Sequence, residues 1–61
     1  MKANIYKNSI GNTIAIRREN DGHTSICLVM NNTKITAWVR QSRRKLKTWK
    51  LTLIESGVTI C

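Results

Sequence analysis

The sequence NDGHTSICLVMNN, residues 20–32, carries the clearest signals for the fold. Its Asp21-Gly22 pair lies between two alternating runs, and such a pair favours a β-hairpin because both turn positions of a tight hairpin need positive φ. The run Thr24–Met30 has apolar residues in both of its alternating sets of positions. This pattern predicts a central strand that is covered on both faces. Asn31-Asn32 ends it.

The residues before this stretch continue the same pattern toward the N-terminus. Asn4–Ile10 alternates loosely, Gly11-Asn12 is a turn pair, and Thr13–Glu19 places Ile14 and Ile16 on one face. Three consecutive strands joined by short turns predict an antiparallel meander.

The residues after Asn32 fit two different periods. Apolar or small side chains recur at helical spacing, and Asn32 or Thr33 is a suitable N-cap. A helix over Thr33–Lys47 is therefore predicted, followed by a strand over Trp49–Ile54, a turn, and a short strand over Val58–Ile60. The favoured class is α+β, a small antiparallel β-meander with one basic amphipathic helix in the order βββαββ. The residues at helical spacing are Ile35, Val39, Ser42, Leu46, Trp49 and Leu53.

A strand interpretation of the same residues stays open. Ile35, Ala37 and Val39 alternate with polar or aromatic neighbours, and a second alternation begins at Trp49. The alternative class is all-β, a five- to six-stranded barrel similar to SH3 or OB folds, with a basic loop at 41–47.

The chain is short and strongly basic. Its 61 residues are expected to form one domain, residues 1–61, with a thin core. Eleven Lys and Arg residues against three acids give a formal net charge of +8. An excess of this size indicates an anionic partner.

The positive charge is concentrated in one region, since no acid lies between Asp21 and Glu55. A surface that serves only for solubility usually mixes charges of both signs. We therefore expect the cluster to neutralise phosphates, with Arg17 and Arg18 extending it if the sheet brings them alongside. The residues of the cluster are Arg40, Arg43, Arg44, Lys45, Lys47 and Lys50.

The two tryptophans, Trp38 and Trp49, bracket most of this cluster. A thin core needs large apolar side chains, so core packing is the first expectation for both. A partly exposed tryptophan among arginines has a second use, which is to stack on an unpaired base.

Residues for catalysis or metal binding are scarce. No nucleophile motif or glycine-rich phosphate loop is present, and His23 and the acids lack ligand spacing. No enzyme activity, metal or cofactor is expected. Cys27 and Cys61 are expected to be reduced thiols in a cytoplasmic protein, with a disulfide between them as the alternative.

The main functional hypothesis is a small nucleic-acid-binding protein, for DNA or RNA, that acts as a regulator in a phage or mobile element. The alternative is a protein-binding inhibitor that places the basic face on an acidic groove of a host enzyme such as a nuclease or polymerase. A third hypothesis is that Trp38–Leu53 lies on an anionic membrane as an amphipathic helix. No apolar run is long enough to span a bilayer, and a homodimer remains open.

Overall fold

The structure, a computed structural model, describes residues 2–60. These residues form an open, mostly antiparallel sheet of six strands with one short helix. Along the sheet the strands are ordered β4-β3-β2-β1-β6, and β5 also pairs with β3. The elements are β1 (Lys2–Lys7), β2 (Thr13–Arg18), β3 (Thr24–Met30), β4 (Thr33–Lys34), β5 (Val39–Gln41), α1 (Arg43–Lys47) and β6 (Thr52–Thr59).

The predicted meander is present as β1, β2 and β3. The hairpin between β2 and β3 closes through the backbone of Glu19, whose N–H donates to the His23 carbonyl at 2.8 Å. Of the Asp21-Gly22 pair, Gly22 alone has positive φ (88°). The expectation of positive φ at both positions was therefore wrong, because the loop is longer than a two-residue turn and needs a left-handed residue only at its end.

A tight reversal at Asn31-Asn32 explains why the predicted helix over Thr33–Lys47 does not form. Both asparagines have positive φ (52° and 62°), as in the two-residue turns that join antiparallel strands. The chain therefore returns along β3, where Thr33 pairs with Met30. A residue that is already in a sheet ladder cannot begin a helix, so neither Asn32 nor Thr33 is an N-cap.

Within residues 2–60, helical structure is limited to the five residues of α1. Ser42 is its N-cap, and the Ser42 hydroxyl accepts a hydrogen bond from the Lys45 N–H at 3.2 Å. The residues before it pair with β3 through β5, where Val39 lies opposite Ile26. The long amphipathic helix that the membrane hypothesis requires over Trp38–Leu53 is therefore absent.

One continuous strand, β6, replaces the two short strands predicted near the C-terminus. It pairs with β1 along its length, with register shifts on both sides of Ile5. Glu55-Ser56-Gly57, predicted as a turn, lies inside this irregular part. Gly57 has φ of 66° and its N–H donates to the Asn4 side-chain oxygen at 3.1 Å. The left-handed backbone there absorbs an extra residue, as a bulge does.

The core lies on one face of the sheet, called the core face. Small side chains dominate it, and Trp38 packs against its edge. As expected, Cys27 is a buried core residue with a free thiol. The buried apolar residues of the core face are Ala3, Ile5, Ala15, Cys27, Val29, Val58 and Ile60.

The opposite face, called the second face, is also apolar. Directly opposed residues share a face of a sheet, and the register sets Tyr6 beside Ile14 and Ile14 beside Leu28. Ile16 and Ile26 are opposed in the same way. Ile14 is only 3% exposed, so this face is partly covered, whereas Val39 is 55% exposed.

The conformation of Gly57 gives a test of the bulge. A side chain at positive φ costs about 1–2 kcal/mol, and nothing lies near enough to clash with an added Cβ. Gly57→Ala should therefore lower the free energy of unfolding by about 1 kcal/mol in urea denaturation. Gly57→Asn, which tolerates this conformation better, should cost less. If both variants were as stable as the natural protein, the left-handed conformation assigned to Gly57 would be wrong.

Candidate functional site

The predicted basic cluster is divided by the alternation of the sheet. Neighbouring residues of a strand point to opposite faces, so Arg17 and Arg18 cannot share one. Ser25 is opposed by Arg17 on one side and by Arg40 on the other. These two arginines therefore lie on the core-face side, and Arg18 lies on the second face.

Arg17 is held by a compact polar cluster at the edge of the core. Its Nη2 donates to Glu19 Oε1 at 2.7 Å, and its guanidinium carbon lies 4.6 Å from the centre of the Trp38 ring. The Ser25 hydroxyl donates to the same carboxylate oxygen at 2.6 Å. This hydroxyl, followed by Arg17, holds the pKa of Glu19 below its usual range. Arg17 and Trp38 thus have structural partners within the chain.

Arg40 is paired as well, although in an exposed position. Its Nη2 donates to Asp21 Oδ2 at 2.7 Å. The His23 backbone N–H donates to the other carboxylate oxygen of Asp21 at 3.0 Å. This backbone bond, with a smaller contribution from Arg40, lowers the pKa of Asp21. Two of the three acids are therefore used to neutralise the two arginines on the core-face side.

Four of the predicted cations line one shallow concavity on the second face. Arg43 and Lys47 are four residues apart on α1 and so share one side of the helix. Lys50 follows after the helix ends, and Arg18 comes from the end of β2. We call this the basic concavity. Its lining comprises the cations Arg18, Arg43, Lys47 and Lys50 with Tyr6, Ile16, Thr24, Leu46 and Leu51.

Arg44 and Lys45 project from other sides of the helix. A rotation of about 100° per residue separates them from Arg43 and Lys47, and neither lines the basic concavity. Both are exposed. Within residues 2–60, no carboxylate lies within ion-pair distance of any cation between Arg43 and Lys50. The positive charge of this region is therefore uncompensated.

Lys50 has an unusual backbone conformation. Its φ is 52°, in the left-handed region that costs a residue with a Cβ about 1–2 kcal/mol. This conformation turns the chain out of α1 and toward β6. The turn places Lys50 and Leu51 in the basic concavity beside residues of the helix.

An apolar groove of about 700 Å³ lies beside the basic concavity on the second face. Leu28 and Ile26 contribute to it from β3, and Trp49 contributes from the segment that follows α1. The segment 46–51 lines both hollows, with Thr48 and Trp49 in the groove and its other residues in the concavity. The groove is lined by Asn8, Ser9, Ile10, Ile14, Ile26, Cys27, Leu28, Thr36, Val39, Thr48 and Trp49.

Sequence reasoning missed this groove because it assigned the apolar side chains after Asn32 to a helix. Three of the residues in that helical pattern, Ile35, Val39 and Leu53, are each more than half exposed. The alternation of β2 and β3 was the available signal. It places apolar residues on both faces, and the second face needs a cover that a five-residue helix supplies only in part.

Other sites find little support in the described residues. Burial raises the pKa of the Cys27 thiol, partly opposed by Lys34 and Arg17, so this cysteine is a weak nucleophile. Among residues 2–60, no group of three His, Cys, Asp or Glu side chains is placed to hold a metal ion. The one helix in this range lacks the length and the apolar character to cross a membrane.

Because the pKa of Glu19 is lowered in the folded protein, the free energy of unfolding depends on pH in the acid range. The folded protein binds the proton of Glu19 more weakly than the unfolded chain does, so the stabilisation is present above about pH 5 and is lost as the pH falls below about 4. Glu19→Gln should flatten this part of the curve of unfolding free energy against pH. Glu55→Gln, which alters an exposed acid without an ion pair within residues 2–60, is the control. An equally steep acid limb in both variants would contradict the role of Glu19.

Comparison of the chain with protein-family models, curated proteins and solved structures gave no match. The assignment of a function therefore depends on the charge and geometry of this surface.

Proposed function

We propose that the protein is a small nucleic-acid-binding protein that contacts phosphates through the basic concavity. The observation that carries the proposal is the convergence of Arg18, Arg43, Lys47 and Lys50 on one hollow that no acid lines. In complexes with DNA, at least half of the protein's hydrogen bonds go to phosphate oxygens and sugars, and Lys and Arg side chains donate many of them. Arg44 and Lys45 extend the positive field around it.

The distribution of the acids supports this assignment. Glu19 and Asp21 neutralise cations on the core-face side, and Glu55 lies on β6 opposite Ile5. Like charges gathered on one surface destabilise a small domain by mutual repulsion. An anion bound in the basic concavity would relieve that repulsion, so binding and folding would be linked favourably.

The neutral residues of the basic concavity suit a nucleic-acid backbone. Tyr6 supplies a phenolic hydroxyl, and Thr24 lines the same hollow, although its hydroxyl donates to the Gln41 carbonyl at 2.6 Å. Leu46 and Leu51 supply apolar surface for sugar rings. Four neutralised phosphates correspond to a slope of about −3 in a plot of log affinity against log salt concentration.

A second candidate function is a protein inhibitor that places this surface on an acidic groove of a host enzyme. The exposed apolar side chains beside the basic concavity favour it, since Val39 is 55% and Ile10 is 79% exposed. Protein interfaces combine apolar centres with charged rims in this way. Purification from the native host with and without nuclease treatment separates the two functions, because a protein partner is retained after nuclease digestion.

The basic concavity can be tested by removing its charges. The triple variant Arg43→Gln, Lys47→Gln, Lys50→Gln should bind a fluorescently labelled oligonucleotide at least about tenfold more weakly at low salt, and its salt slope should be smaller by about two to three. Fluorescence anisotropy over a KCl series measures both quantities. Its stability should be unchanged or slightly higher, since repulsion is relieved.

A matched control separates the position of the charges from their number. Lys2→Gln, Lys7→Gln, Lys34→Gln removes the same charge from residues that do not line the basic concavity. This variant should retain most of the affinity. Equal losses in the two triple variants would show that binding follows net charge alone, and would remove the basis for assigning this surface.

A further inference from the structure

We propose that the apolar groove binds unpaired bases, which makes the protein selective for single-stranded nucleic acid over duplex. This inference rests on the proposed function, since it assigns phosphates to the basic concavity. It adds a second binding site, the apolar groove that Trp49 lines, and it names a class of ligand.

The two tryptophans differ in how much of the indole ring a ligand can reach. Trp38 is packed against the core and has the Arg17 guanidinium over its ring, so its stacking surface is already used. Trp49 is half-buried and lines the groove together with Ile26, Leu28 and other apolar side chains. Unpaired bases stack on aromatic side chains that a groove leaves accessible, and the indole ring of Trp49 is such a side chain.

One residue of the groove, Trp49, and two cations of the basic concavity lie on one short segment. Lys47 and Lys50 flank Trp49 in sequence, and they line the basic concavity while Trp49 lines the groove. This arrangement matches the combination that single-strand-binding proteins use, a cationic track for phosphates beside an aromatic platform for bases. A duplex keeps its bases stacked inside, so it offers phosphates to the cations and nothing to the groove.

A fixed amide at the edge of the groove adds a polar contact for a base. The Asn8 side-chain oxygen accepts hydrogen bonds from the backbone N–H groups of Ile10 (3.1 Å) and Asn12 (2.8 Å). These bonds fix the orientation of the amide. Its nitrogen has no hydrogen-bond acceptor within residues 2–60, and Asn8 lines the groove, so the amide can donate to a base edge.

The test compares two strands with the same number of phosphates. One is an oligothymidylate of about twelve nucleotides, a length within the range that small single-strand-binding domains occupy, and the other is an abasic strand of equal length. The oligothymidylate should bind at least about tenfold more tightly, the effect of stacking one base. Oligodeoxyuridylate and oligouridylate of this length differ only in the sugar, so comparing them identifies the preferred sugar, and tighter binding of any of these strands than of the abasic one supports the inference.

Two variants locate the effect at Trp49. Trp49→Leu keeps an apolar side chain but removes the ring, so its affinity for the oligothymidylate should fall to that for the abasic strand, with the latter unchanged. Trp49→Phe should retain most of the difference. Because Trp49→Leu can also disturb the fold, a Trp38→Phe protein supplies an independent measurement, in which the fluorescence of Trp49 should be quenched by oligothymidylate and unaffected by the abasic strand.

The possible failures are distinguishable. Equal binding of both strands, with unchanged Trp49 fluorescence, would overturn base binding in the groove and leave phosphate binding by the basic concavity intact. Equal or tighter binding of a duplex with the same number of phosphates would overturn the selectivity for single-stranded nucleic acid. If neither strand binds and an acidic amphipathic peptide quenches Trp49 instead, both the inference and the proposed function are wrong.

Discussion

A sheet with two apolar faces needs a cover on each, and this chain has few residues with which to cover the second. On the core face, Val58 of β6 is part of the buried cluster and Trp38 packs against that cluster. On the second face, the segment 46–51 lines both hollows, and α1, which overlaps its start, has only five residues, none of them buried. The apolar groove and the basic concavity both follow from this shortage, since the short segment that lines both of them covers the second face only in part.

The same alternation that builds the faces also distributes the charge. Arg17 and Arg18 are adjacent in sequence, yet one is absorbed by Glu19 and Trp38 and the other lines the basic concavity. Two of the three acids, Glu19 and Asp21, lie at the hairpin turn after β2, where they neutralise the arginines of the core-face side. The excess charge on the second face is thus a consequence of placement as much as of composition.

Much of the sheet could be predicted from local patterns. The alternation in Thr24–Met30 and the turn residues before it correctly indicated the meander, since period and turn chemistry agree there. The segment after Asn32 satisfied a helical and a strand period at once, and the choice depended on whether Asn31-Asn32 forms a turn. Asn31 and Asn32 both adopt the left-handed conformation that such a turn needs. Asparagine favours this conformation, so the turn could have been predicted from residue type, but the longer helical pattern outweighed that signal.

The candidate site was less predictable for a physical reason. Linear clustering identifies cations that are near in sequence, but sheet register decides which of them are near in space. Arg40 lies in the linear cluster and is paired with Asp21, nineteen positions earlier. The groove had no linear signal, because its walls come from the loop after β1, from β2, β3 and β5, from Thr36 before β5, and from the residues that follow α1.

The left-handed conformation of Lys50 has an evolutionary consequence. Glycine or asparagine would relax this backbone and stabilise the chain, and either would also delete a cation from the basic concavity. Selection for folding alone would therefore drive position 50 away from lysine, while selection for anion binding would hold it there.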